Sequence, residues 1–264
     1  MAVTPTSAQP LVLTPAEMAV VFQHLLGPAA AEGGLLGDLD LRPPALDAAR
    51  AGLLARGLLR PAPDRARPKT FIAPSARALL DAVTRPLMLC VLQVMQPGQD
   101  EHGAYFSWTP DMLVFNTVDP QGNHRLEPLP GLDAIAGRAL AECGLNDFKP
   151  ASSALPASPD AVGRAAGLRA IFMTVASART AHEKVQGLAW MLSAGRLWLM
   201  APQAAPAIVA DASKAKPAQA GPARAPTADA SLRALLPADL AAAILATAQQ
   251  AVDHTRAVLE AAAA

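Results

Sequence analysis

The chain has 264 residues with 22 basic and 22 acidic side chains, and it is 52% hydrophobic but only 4% aromatic. The balanced charge and a pI near 7.0 argue against a dedicated nucleic-acid binder, which carries a basic excess. The length supplies ample core for one large domain or two small ones. Two cysteines, Cys90 and Cys143, are too few for a disulfide scaffold and too far apart for a paired zinc motif.

Residues 1–11 are polar and proline-flecked and read as disordered. No basic residue precedes Arg42, so the charged n-region of a secretory signal is missing. The longest apolar run, Pro86 to Met95, is about half of what crosses a bilayer. The chain therefore reads as soluble, cytoplasmic and without membrane contact. Its alanine, proline and arginine bias suggests a GC-rich bacterial genome.

Residues 12–86 read as a helical, winged-helix-like segment. Structure begins at Thr14-Pro15-Ala16-Glu17, a capping box with proline at the first helical position. Met18, Val21, Phe22, Leu25 and Leu26 then follow the helical period, and Gly27-Pro28 stops it. A second helix runs from Pro44 to Arg56 with Leu46, Ala49, Leu53 and Leu54 inward, and Gly57 sits where a C-cap glycine belongs. Arg60 to Lys69 is a basic, proline-rich stretch. Thr70-Phe71-Ile72 reads as a short strand and Ser75 to Val83 as a third helix.

Residues 87–145 read as an antiparallel meander plus helix. Leu87 to Met95 is apolar on both alternating faces, as in a central strand covered on both sides. Ala104 to Trp108, Met112 to Val118 and His124 to Leu129 follow, separated by the turn signals Thr109-Pro110-Asp111 and Asp119-Pro120-Gln121-Gly122-Asn123. Helix four spans Gly131 to Cys143. Residues 146–201 read as a connector, with a short helix at Ala161 to Gly167, and a second, smaller sheet. The strands of that sheet are Ala170 to Ser177, Val185 to Leu192 and Arg196 to Met200. Residues 202–230 consist largely of Ala, Pro, Lys and Asp without an aromatic, the composition of a disordered linker. Residues 231–264 carry the last helix, opened by Leu236-Pro237. Leu129-Pro130-Gly131-Leu132-Asp133 and Leu236-Pro237-Ala238-Asp239 echo each other, each with an acid in the first helical turn. The fold class is α+β: a mainly antiparallel sheet with flanking helices and two quasi-related halves.

Phosphate-cradling glycine loops and nucleophile elbows are absent. His24, His102, His124, His182 and His254 lie on separate elements without metal-ligand spacing. Cys90 and Cys143 fall on apolar faces and read as core, and Asp100-Glu101-His102 reads as a solvated turn. No catalytic residue, metal or cofactor is expected. Tyr105, Trp108 and Phe115 cluster on one hairpin, Trp190 and Trp198 on another. Core packing is the plain reading of these rings. As an interaction strip they would bury a partner helix against aromatic anchors.

The segment Ala51-Gly52-Leu53-Leu54-Ala55-Arg56-Gly57-Leu58-Leu59-Arg60, followed by a basic turn, strand and helix, supports a second reading. In a winged-helix transcriptional regulator, Arg56, Arg60, Arg65, Arg67 and Lys69 would contact phosphates. The first ninety residues hold only nine basic against seven acidic side chains, and the helix offers few base-contacting groups, so nucleic acid is the lesser alternative.

The order Leu13-Thr14-x-x-Glu17, then Leu53-x-x-Arg56-Gly57-Leu58-Leu59, then an Ala/Leu helix, then a hairpin sheet ending in a helix resembles the EspG family. These are cytosolic chaperones of type VII (ESX) secretion. The resemblance covers Leu13 to Leu145 and extends to the Ala170 to Met200 sheet. It implies a quasi-twofold protein with a central antiparallel sheet. It also implies that the chain binds a secreted helical client and delivers it to the export machinery without doing chemistry.

Overall fold

The computed structural model describes residues 10–27, 42–61, 70–95, 102–146, 148–149, 169–177, 186–193, 195–200 and 232–263. The short helix expected at Ala161 to Gly167, the linker at 202–230 and Asp100-Glu101 lie outside them.

The first unit contains β1 (Leu11–Leu13), α1 (Pro15–Leu26), α2 (Pro43–Ala55), β2 (Leu59–Pro61), β3 (Thr70–Ile72) and α3 (Pro74–Thr84). It also holds β6 (Met112–Val118) and β7 (His124–Leu129), the latter as far as Pro128. The Thr14 capping box forms: the Glu17 amide donates to Thr14 Oγ1 at 3.2 Å, and the Thr14 amide donates to Glu17 Oε2 at 2.9 Å. Leu11, expected to lie in a disordered segment, is instead part of a strand, because Leu11–Leu13 pairs antiparallel with Leu126–His124 of β7. α2 ends in a Schellman motif. The Gly57 amide donates to the Leu54 carbonyl and the Leu58 amide to the Leu53 carbonyl, with Gly57 at φ 70°. The sequence Leu-x-x-Arg-Gly-Leu-Leu is thus a helix stop that turns Leu59 into β2, which pairs with β3. Leu13, Met18, Val21, Phe22, Leu53, Leu59, Ile72, Leu80, Val114 and Leu126 are buried together as this unit's core.

The second unit contains β4 (Met88–Met95), α4 (Asp133–Glu142), β8 (Arg169–Ser177), β9 (Gln186–Ser193), β10 (Arg196–Met200), β11 (Leu232–Leu235) and α5 (Pro237–Ala263). β5 (His102–Thr109) is shared, dividing after Phe106. Met88, Cys90, Leu92 and Val94 are buried, whereas Leu89, Val91 and Met95 are half-buried and Gln93 is exposed. β4 is central in the sheet but covered fully on one face only, where its apolar alternation predicts cover on both. α5 packs on α4, β8, β9 and β4 through the buried Leu240, Ile244, Ala248, Ala251, Val252 and Thr255. Spacings of three and four keep these on one face of the 27-residue helix.

The large sheet has nine strands in the order β1-β7-β6-β5-β4-β8-β9-β10-β11. Read outward from the antiparallel β4–β8 pair, each side is a run of four sequential strands followed by a helix: β4 to β7 then α4, and β8 to β11 then α5. The two halves are therefore related topologically as well as by their Leu-Pro helix starts. β11 was not legible as a strand, since its four residues adjoin the proline-rich segment.

Two glycines separate backbone conformation from packing. A Cβ at Gly57 meets nothing within 4 Å, but the residue sits at positive φ, so Gly57→Ala is expected to cost about 1–2 kcal/mol. A Cβ at Gly137, inside α4, also meets nothing, and Gly137→Ala is expected to add about 0.5–1 kcal/mol. Urea unfolding of both variants checks the opposite signs.

Candidate functional site

β9 and β10 pair with Trp190 opposite Leu199 and Trp198 opposite Met191. Opposed residues share a face and neighbours alternate, so the two indoles lie on opposite faces of the hairpin. Both are buried, at 0% and 5% exposure. Among the described residues their Nε1 atoms have no hydrogen-bond partner, which costs about 1–3 kcal/mol each, so burial of ring area is what holds them there. Trp108 and Phe115 are also buried, at 6% and 1%. Tyr105, on the other face of β5 from Trp108, is half-buried. Four of the five aromatics considered for a binding strip are thus interior side chains, and only Tyr105 keeps an accessible part. With so few aromatics in the chain, the large rings fill the sheet's interior first.

The basic group disperses differently. Arg56 Nη1 donates to Glu17 Oε1 at 2.9 Å, and its Nη2 donates to the Val12 carbonyl at 2.7 Å. This guanidinium therefore ties the end of α2 to the β1–α1 corner. Arg60 is exposed on β2, opposite Phe71. Arg65, Arg67 and Lys69 lie outside the described residues. The Arg56–Glu17 link was missed in the sequence because it joins positions 39 apart and carries no local signature.

The titratable groups that are shifted are structural in setting. Burial pushes the Cys90 thiol up to about 12, and burial, then Glu142, takes Cys143 to about 12, so neither is a thiolate at neutral pH. Burial lowers His124, partly offset by Asp119. Its Nδ1 lies 3.2 Å from Asn116 Nδ2 and 3.3 Å from Asn116 Oδ1. Burial, then Arg50, lowers His24, whose Nε2 is 3.1 Å from Thr70 Oγ1. Among the described residues no group of three His, Cys, Asp or Glu could hold a metal ion. Among the same residues no helix is long and apolar enough to cross a membrane.

This architecture has a counterpart among solved structures. The chain is similar to the Mycobacterium tuberculosis type VII secretion system chaperone EspG5, whose structure was determined in complex with a PE25-PPE41 dimer. The TM-score is 0.52 over 89% of this chain and 94% of that chain, at 9% sequence identity. What the two share is the fold. No protein-family model matches the sequence, and no curated protein matches it.

Two expectations follow from the site geometry. Arg56→Ala leaves the Glu17 carboxylate, whose side chain is 10% exposed, without its counter-charge. Because Arg56 itself is 39% exposed, the loss is discounted for solvent to about 1–2 kcal/mol, measurable by urea unfolding. His24 and His124 are both held below their ordinary pKa, so the folded state binds fewer protons than the unfolded chain. Their contribution is fully present above about pH 6.5 and is lost as pH falls through the lowered folded values. The melting temperature should drop on acidification through that window, and the His24→Gln/His124→Gln double variant should flatten the slope.

Proposed function

We propose that the chain is a non-enzymatic partner-binding protein, an EspG-like cytosolic chaperone or adaptor that holds a helical protein client for secretion. The observation that carries this reading is the fold likeness to EspG5, which spans nearly the whole of both chains. The fold alone does not fix a function. The likeness is joined here by thiols held fully protonated and by a sheet whose second face is only half-covered at β4. In this reading the β5–β6 and β9–β10 hairpins are the client-docking elements. Tyr105 makes the contact, while Trp108, Phe115, Trp190 and Trp198 form the buried frame that keeps the strands rigid. A client helix would bury apolar surface around Tyr105 with a polar rim around it.

The test is affinity capture of the tagged protein from its native host, with mass spectrometry and a nucleic-acid check on the eluate. One helical protein should co-elute at near-stoichiometric amount. Tyr105→Ala should weaken its capture by about tenfold or more, as expected of an aromatic anchor, with an unchanged circular dichroism spectrum. A chain that elutes alone, or with nucleic acid in place of a protein, overturns the reading.

A further inference from the structure

The two ends of the nine-stranded sheet are finished differently. In the first half the last strand of the meander, β7, is covered by β1, with Leu11 opposite Leu126, Val12 opposite Arg125 and Leu13 opposite His124. The Val12 carbonyl is in turn closed by Arg56 Nη2 at 2.7 Å. In the second half the equivalent strand, β11, pairs with β10 on one side, and among the described residues no strand follows it. Exposed rows of backbone donors and acceptors are templates for another strand unless they are blocked. Neither proline nor a bulge interrupts Leu232–Leu235.

The side chains at this edge point to a particular occupant. Leu236, directly after β11, is 57% exposed, the highest value for a large apolar side chain among the described residues. Arg233 is exposed and has no ion pair among the described residues. Leu235 and Arg233 are opposite Leu197 and Leu199, so they share one face. A strand added antiparallel would place one residue beside Leu235, and the residue two further on beside Arg233.

We propose that β11 is a strand-addition site that takes an extended segment of a partner protein. The segment runs antiparallel to β11 and carries an apolar side chain beside Leu235 and an acidic one beside Arg233. The first half of the molecule supplies the precedent, since β1 is an extended apolar tripeptide seated on the equivalent strand. A second copy of this chain fits less well. In a symmetric antiparallel pairing of two β11 strands, Arg233 lies opposite Leu235 or the other copy's Arg233, leaving the guanidinium without a counter-charge. Four paired residues also bury far less than the roughly 1,200 Å² of a stable dimer. Main-chain hydrogen bonds would supply affinity and the Arg233 contact selectivity, as in other strand-addition complexes. Only the source of the strand rests on reading the chain as a partner-binding protein.

The experiment uses the full chain, labelled with nitrogen-15, and the capped peptide Thr-Leu-Val-Glu-Val-Thr. Saturable shifts should appear at the Leu232–Leu235 amides, with slowed amide exchange there. Replacing the peptide's Glu by Lys should weaken binding to the unaltered chain by about fivefold. The Arg233→Glu chain should reverse that preference and bind the Lys peptide better. The peptide series on the unaltered chain decides the matter by itself if Arg233→Glu does not fold. No saturable shift at β11, shifts indifferent to the charge on the peptide, or concentration-dependent dimerisation abolished by Arg233→Glu would each overturn the proposal. Failure here leaves client capture through Tyr105 standing, and loss of capture leaves peptide binding at β11 standing, so the two readings are separable.

Discussion

Eight consecutive residue pairs, from Met88 opposite Ser177 to Met95 opposite Ala170, join the two meanders. Strand pairing has a period of two, so a one-residue slip here would carry every buried side chain of one strand to the other face. Cys90, Leu92 and Val94 are aligned with Val175, Met173 and Ile171, and the same face continues through Trp190 opposite Ile171. α5 packs on this ladder. Register at β4–β8 therefore fixes which residues of β9 and β10 lie inside, and with them the seats of both tryptophans on that hairpin. The alternation of β4, buried at every second residue, is what selects that register.

The topological repeat clarifies which differences between the halves carry meaning. Both helices that close a meander start near a Leu-Pro pair with an acid in the first turn, Asp133 in α4 and Asp239 in α5. The Asp239 carboxylate accepts from the Leu236 amide at 3.2 Å, a local cap that any helix start can use. The pattern alone is thus weak evidence of duplication, and the strand order supplies what it lacks. Against that shared frame, α4 spans 10 residues and α5 spans 27, and among the described residues β1 has no counterpart beside β11. Those are the places where the halves were free to diverge, because none of them changes the central register.

Much of this fold was legible in the sequence. β6, β7 and β10 match their expected bounds, and the five helices among the described residues fall where period, caps and prolines put them, because each signal is local. The losses share a cause. β1, β2 and β11 are three or four residues long, too short to show a period, and exist because a neighbouring strand accepts them. The Glu17–Arg56–Val12 link joins distant segments, and the unpartnered indole nitrogens are visible only once the strands are stacked. The aromatic hairpins were read as either core or contact surface. Alternation alone could not choose, because it says that two rings face opposite ways and not how much covers each.

The segment most suggestive of a nucleic-acid reader illustrates how context reassigns a motif. Leu53 and Leu59 are buried on either side of Gly57, so the apolar spacing serves a helix stop and the entry to β2. Arg56 sits between them with both terminal guanidinium nitrogens bonded, one to a carboxylate that also closes the α1 capping box. For Arg56 to reach a phosphate, that carboxylate would have to remain largely buried without a counter-charge, and the Val12 carbonyl would have to lose its partner. The phosphate contact would need to exceed both losses to be occupied. In the neutral chain described here, with no basic excess to raise the local potential, the internal contact is the stronger claim on that side chain. The same positive charge that resembles a recognition element thereby fastens the strand β1 in its place on β7.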